Sequence, residues 1–204
     1  FFFFSFFSVA MGMVAKTARD AYFLSRFEKS FLPLMFLAIA VVIAPTLTYY
    51  TKLTNKFSPR KLFIMTCSIF TGSFILIQPL ISGFFIPVAY IWVEIVVGIM
   101  LIQFWTFASS SLEPQQAKRL FGIIGGGGSF SVMLIGMNLK PFVNAFGTDE
   151  LLFVAAGFLI IASVFGLLSI QYFNKIPAKK GAAKKKNPKK DPFIIGIGTI
   201  VALS

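Results

Sequence analysis

Six stretches of the chain are almost wholly apolar, at 1–24, 31–51, 62–82, 84–109, 120–139 and 151–173. A helix rises ~1.5 Å per residue and bilayer hydrocarbon is ~30 Å thick, so about 20 such residues suffice to cross it. The runs are long and continuous, without the short alternating period of a membrane barrel, so they predict helices rather than strands. Polar and turn-forming clusters separate them: "SPRK" at 58–61, "SGFFIP" at 82–87, "LEPQQ" at 112–116 and "FGTDE" at 146–150. Thr148 or Asp149 is the expected N-cap of the sixth helix. Pro45 and Pro79 fall inside apolar runs, where kinks are expected and neighbouring helices can satisfy a freed carbonyl. A seventh apolar stretch starts at Pro192 and Phe193 and is too short to cross by Ser204.

Composition strengthens this picture. Hydrophobic residues make up 57% of the 204, 27 of them are Phe, and mean hydropathy is +0.84. So much apolar side chain points to a membrane protein. There is no His, which excludes a Ser-His-Asp triad, a His-ligated metal and an imidazole proton relay within this chain. Cys67 stands alone, so neither an intrachain disulfide nor a cysteine metal cluster is expected. No metal, cofactor or enzymatic chemistry is predicted. The opening Phe run has no basic leader or small-residue cleavage site, so it is not read as a signal peptide. Opening on Phe1 and stopping within an apolar stretch, the chain reads as part of a longer protein.

Charge then sets an orientation. Lys52, Lys56, Arg60 and Lys61 fall between the second and third helices, and Lys118 and Arg119 between the fourth and fifth. Eight lysines from Lys175 to Lys190 follow the sixth. The opposite side carries only Arg26, Lys29 and Lys140. The positive-inside rule places the N-terminus and the Lys-rich segment in the cytosol of a cell (inner) membrane. Three regions are expected: a six-helix bundle over 1–173, a cytosolic Lys-rich linker over 174–191, and the start of a seventh helix over 192–204. The linker reads as solvated and low in complexity, or as a patch for anionic lipid. A nucleic-acid partner is not expected. Six spans, a cytosolic linker and a further span match the plan of the N-terminal half of a major-facilitator-like transporter.

Charges inside the apolar runs carry the chemistry. "MVAKTARDAYFL" puts Lys16, Arg19 and Asp20 into the first helix, on one narrow stripe, with Lys16 and Asp20 an i,i+4 pair. Each costs ~3 kcal/mol at mid-bilayer, so the stripe should face the bundle interior or a watery cavity. The other reading ends the helix near Val14 and leaves the charges at the boundary. Surplus positive charge in a cavity points to an anionic ligand. Glu94 lies near mid-depth in the fourth run, either as a functional carboxylate or as a structural partner of a basic group nearby. Trp105, eleven residues on, shares the Glu94 face, and Gln103 points the other way. Gly125, Gly126, Gly127 and Gly128 permit close helix packing or a hinge, with substrate contact as the alternative. They lack the Lys-Ser/Thr of a phosphate-binding loop. "YYTKLTNKFSPRKLF" resembles the cytosolic 2–3 loop signature of the major facilitator superfamily, with Asn55 at its usual Asp position, Ser58 at its Gly position and Arg60 among its basic residues.

Taken together, "KTARDAYFL", "VAYIWVEIVVGIMLIQFWTFASS" and "QQAKRLFGIIGGGGS" resemble the ATP/ADP translocase family of intracellular bacteria and plastids, and more closely its broader bacterial relatives. The resemblance implies a twelve-helix exchanger of ATP for ADP, whose second half lies outside this chain. It implies that Lys16, Arg19, Asp20 and Glu94 take part in nucleotide binding or coupling. The family usually has Lys directly before the Asp, where this chain has Arg19. Two other classes remain open: a major-facilitator symporter of another anion or metabolite with Glu94 titrating, and a non-transporting membrane module.

Overall fold

A computed structural model describes residues 1–80, 85–111, 114–148 and 150–175. They form six helices: α1 (Phe2–Arg26), α2 (Leu32–Lys56), α3 (Pro59–Leu80), α4 (Phe85–Ser111), α5 (Pro114–Phe146) and α6 (Leu151–Lys175), with a single 3-10 turn over Lys29–Phe31 before α2. No strand occurs among the described residues. Residues Phe1–Phe173 make one compact unit. The Lys-rich linker beyond α6, the expected seventh helix and Asp149 lie outside the described residues.

The helix ends follow local chemistry. Prolines stand at the starts of α2, α3 and α5, where the missing N–H is not needed and the fixed φ suits a first turn. α1 and α2 stop where Phe27 and Phe57 turn extended, each donating its N–H back to Phe23 and Leu53. Gly147 ends α5 at φ +86°, in the left-handed region that suits glycine, and donates to the Val143 carbonyl.

Several boundaries differ from the expectation. α1 keeps close to the expected 1–24 and rules out the alternative end near Val14, running unbroken through Lys16, Arg19 and Asp20 to Arg26 because Ala21, Tyr22 and Phe23 continue its packing face. α2 extends to Lys56, so the 2–3 connection is only Phe57 and Ser58. Lys52 and Lys56 therefore belong to the last turns of α2, where cations complement the helix dipole. α5 spans 33 residues rather than 120–139, starting at Pro114 and continuing past Lys140 with Pro141 inside it. The glycine run inside it stays helical, and the added turns at both ends are more polar than the span itself.

Contacts between side chains show an up-and-down order. Phe4 of α1 meets Phe63 of α3 and Phe104 of α4, which places the start of α1 beside the start of α3 and the end of α4. Phe3 and Phe7 stack on Phe165 near the end of α6. The N-terminus and the α2–α3 corner thus lie at one end of the bundle. α1 packs most extensively on α5 and then on α4, while α2 lies against α4. Ala10, Ala15, Ala18 and Gly12 keep α1 slim, and a Cβ on Gly12 would sit 3.3 Å from Val97.

The distribution of apolar residues is that of a protein in lipid. α2 has a mean hydropathy of 2.3 over Lys29–Thr54, yet Leu34, Leu37, Val41 and Tyr49 all point outwards. Water would penalise such a surface by ~25 cal/mol per Å², whereas acyl chains do not. Among the described residues, five helices are long and apolar enough to cross a membrane. α1 has the length, but three charges interrupt it. The chain is an all-α, multi-pass membrane protein, and its most charged helix, α1, is with α4 among the most enclosed of those described.

Candidate functional site

The charges of α1 meet α4 at Glu94. Lys16 Nζ donates to Glu94 Oε1 at 2.8 Å. Arg19 Nη1 donates to the other carboxylate oxygen, Oε2. The same guanidinium reaches the Tyr90 carbonyl at 3.5 Å and lies over the Tyr90 ring, with Cζ 4.2 Å from its centroid. Arg19 Nε donates to Asp20 Oδ1 at 3.2 Å. Tyr90 stands one turn before Glu94, so a single face of α4 offers Arg19 a ring, a carbonyl and a carboxylate. Tyr90 is itself fixed by Phe23, with ring centroids 5.1 Å apart.

The stripe on α1 is broader than expected. Successive residues are 100° apart on a helix, so Arg19 turns inward while Lys16 and Asp20 line the open side. Side-chain exposure is 7% for Arg19, 20% for Glu94, 40% for Lys16 and 47% for Asp20. The expected positive surplus is also corrected. With Glu94 joining the group, two cations face two carboxylates and the formal charge of the cluster is zero. Behind Arg19 there is only a crevice of about 10 Å³, walled by Tyr22, Phe74, Ile86, Tyr90 and Leu152. That holds one water at most. A ligand would therefore meet the cluster from the side where Lys16 and Asp20 are exposed.

Trp105 is not part of this cluster. It lies eleven residues beyond Glu94, ~16 Å along the helix axis. Its ring meets Phe104 and Phe121 at steep angles, and about half of it is exposed. The four glycines divide. Gly127 lets the Phe2 carbonyl approach to 2.7 Å of where a Cβ would be, and Gly128 sits against Val9 and Ser5. Gly125 and Gly126 face open space. Arg60 is exposed in the first turn of α3. The side chains of Asn55, Lys118 and Arg119 lie outside the described residues.

Two features escaped sequence reasoning. Tyr90 is an ordinary membrane-helix tyrosine until its i,i+4 relation to Glu94 is considered. Gln103 lies on the face of α4 away from Glu94, and nothing in the sequence pattern points to its partners. It is buried and donates to Tyr50 Oη at 2.6 Å and to Thr66 Oγ1, fastening α4 to α2 and α3. Such interhelical bonds contribute about 0.6 to 1.7 kcal/mol in membranes. No group of three or more His, Cys, Asp or Glu suited to a metal ion occurs among the described residues. The chain matches no protein family, no curated protein and no solved structure.

Proposed function

We propose that this bundle is half of a multi-pass transporter that moves an anionic substrate by alternating access, in the manner of the ATP:ADP antiporters it resembles. The observation that carries this reading is the half-open cluster of Lys16, Arg19, Asp20 and Glu94 in the middle of two membrane helices. A half-exposed charge facing acyl chains costs about 3 kcal/mol, so Lys16 and Asp20 require water or protein in front of them. A substrate path between this bundle and a second one supplies both.

The geometry supports a specific role for Glu94. Its two oxygens each take one cation, much as two oxygens of a phosphate or carboxylate ligand would. Glu94 then occupies the place of the substrate anion in the empty protein. Substrate entry replaces one anion by another and never strips Lys16 and Arg19 bare in a poorly screening medium. The unloaded cluster is then neutral and closed on itself. A titrating symporter carboxylate would be less fully engaged by cations, which favours exchange. The N-terminus, the α2–α3 corner and the Lys-rich segment face the cytosol in this reading.

The test is uptake of labelled ATP into ADP-loaded proteoliposomes holding the full-length protein. Arg19→Ala and Glu94→Gln are each expected to lower exchange about 100-fold or more, the scale of breaking a buried pair, while still inserting. Wild-type exchange by both variants removes the site assignment. Uptake of another anion in place of ATP, lost in the same variants, keeps the site and removes the nucleotide.

A further inference from the structure

The two cations that hold Glu94 are themselves held very differently. Arg19 is buried, and its guanidinium is engaged by four groups. Nη1 donates to Glu94 Oε2 and reaches the Tyr90 carbonyl at 3.5 Å, Nε donates to Asp20 Oδ1 at 3.2 Å, and Cζ lies 4.2 Å from the Tyr90 ring centroid. Tyr90 is in turn enclosed against Phe23, and Phe23 stacks on Phe27 with centroids 4.9 Å apart. Turning Arg19 away from α4 would break all four contacts together. The crevice behind it has no room for a ligand.

Lys16 is the opposite case. It is 40% exposed and, among the described residues, its one polar partner is Glu94 Oε1 at 2.8 Å. An ammonium has three N–H groups on a flexible four-carbon stem, so two donors remain and the head can swing to the open side. A half-exposed pair of this kind is held weakly, whereas a guanidinium shared by a ring, a carbonyl and two carboxylates is held firmly. We propose that anions exchange on Lys16 alone: the incoming anion takes Lys16 from Glu94, and Arg19 keeps Glu94 throughout. Tyr90 is then a positioning residue, because it fixes Arg19 where Glu94 remains its partner and does not follow Lys16. The inference rests on the anion-transport reading above and adds one mobile and one fixed cation, a division that counting charges does not give.

The experiment measures equilibrium binding of inorganic pyrophosphate and, separately, of ADP to the full-length protein in detergent. Lys16→Gln should weaken both about tenfold or more, the scale of one charge-assisted hydrogen bond, and Lys16→Arg should restore most of the loss. Arg19→Gln should also weaken binding, since Glu94 then has only Lys16 to pair with and competes for it. Arg19→Lys should restore little, because an ammonium has no planar fork to span ring, carbonyl and carboxylates. Tyr90→Leu should weaken binding about three- to tenfold, and Tyr90→Phe should restore it. In a Glu94→Gln background Tyr90→Leu should have little effect, because Glu94 no longer competes for Lys16. Equal Tyr90→Leu losses in both backgrounds make Tyr90 merely structural and overturn its role. Rescue by Arg19→Lys as complete as rescue by Lys16→Arg overturns the division of the cations. These two exchanges decide it even where Tyr90→Leu does not fold. Binding that survives Lys16→Gln but is lost in Arg19→Gln also overturns it and leaves the anion site standing. If wild type binds neither probe, the anion reading falls and the division falls with it.

Discussion

Two neighbouring glycines should respond in opposite directions to the same substitution. A Cβ on Gly126 meets no atom within 4 Å, whereas one on Gly127 would lie 2.7 Å from the Phe2 carbonyl oxygen and 3.2 Å from its ring. Gly126→Ala therefore adds only helix propensity, worth up to ~1 kcal/mol. Gly127→Ala has the same gain but drives a methyl into backbone that cannot rotate away. A comfortable carbon–oxygen contact needs about 3.3 Å, so α1 must retreat from α5 by roughly half an ångström. A gap of that size forfeits a quarter or more of the dispersion energy of each contact along the crossing. Overpacking of this kind costs about 1 to 3 kcal/mol, which outweighs the propensity gain. The two variants should differ by about 2 kcal/mol, or ~4–8 °C in midpoint for a chain of this size. Thermal unfolding of the purified full-length protein in detergent, followed by tryptophan fluorescence, measures it. A Gly127→Ala midpoint as high as that of Gly126→Ala would refute the close approach of α1 and α5. It would also unseat the placement of Lys16 and Arg19 that this approach sets.

Other consequences follow from the same structure. Tyr50→Phe removes the hydroxyl that receives the Gln103 amide, and should lower stability by about 0.5 to 1.5 kcal/mol with anion binding unchanged, as measured by thermal unfolding alongside pyrophosphate titration. Orientation can be read chemically. Cys67 is buried between α3 and α4, so a maleimide should label it only after unfolding. In a Cys67→Ala background, Ser58→Cys in the exposed α2–α3 corner should then be labelled from the cytosolic side. Labelling from the outer side would invert the proposed topology.

The sequence by itself determined the class of the protein. Apolar runs of bilayer length leave the backbone only one way to satisfy its hydrogen bonds without water, which is the helix. Turn residues then placed most helix ends within a few positions, the ends of α5 and the end of α2 excepted. The charges on α1 and the carboxylate on α4 also stood out, because ionised groups in apolar runs have no neutral explanation. They are also expected at one shared site, but the sequence does not say which atoms pair. A pairing across 75 residues of chain depends on how two helices are rotated and how deeply each is set, and those are fixed by packing. Packing turned Arg19 inward onto Tyr90, brought Glu94 between two cations and cancelled the expected surplus of charge. Trp105 and Glu94 share a face of α4 but not a depth, a separation that eleven residues of helix rise already fix. Among four identical glycines, only tertiary contact decided which are needed, since a side chain's absence matters where another helix fills the space.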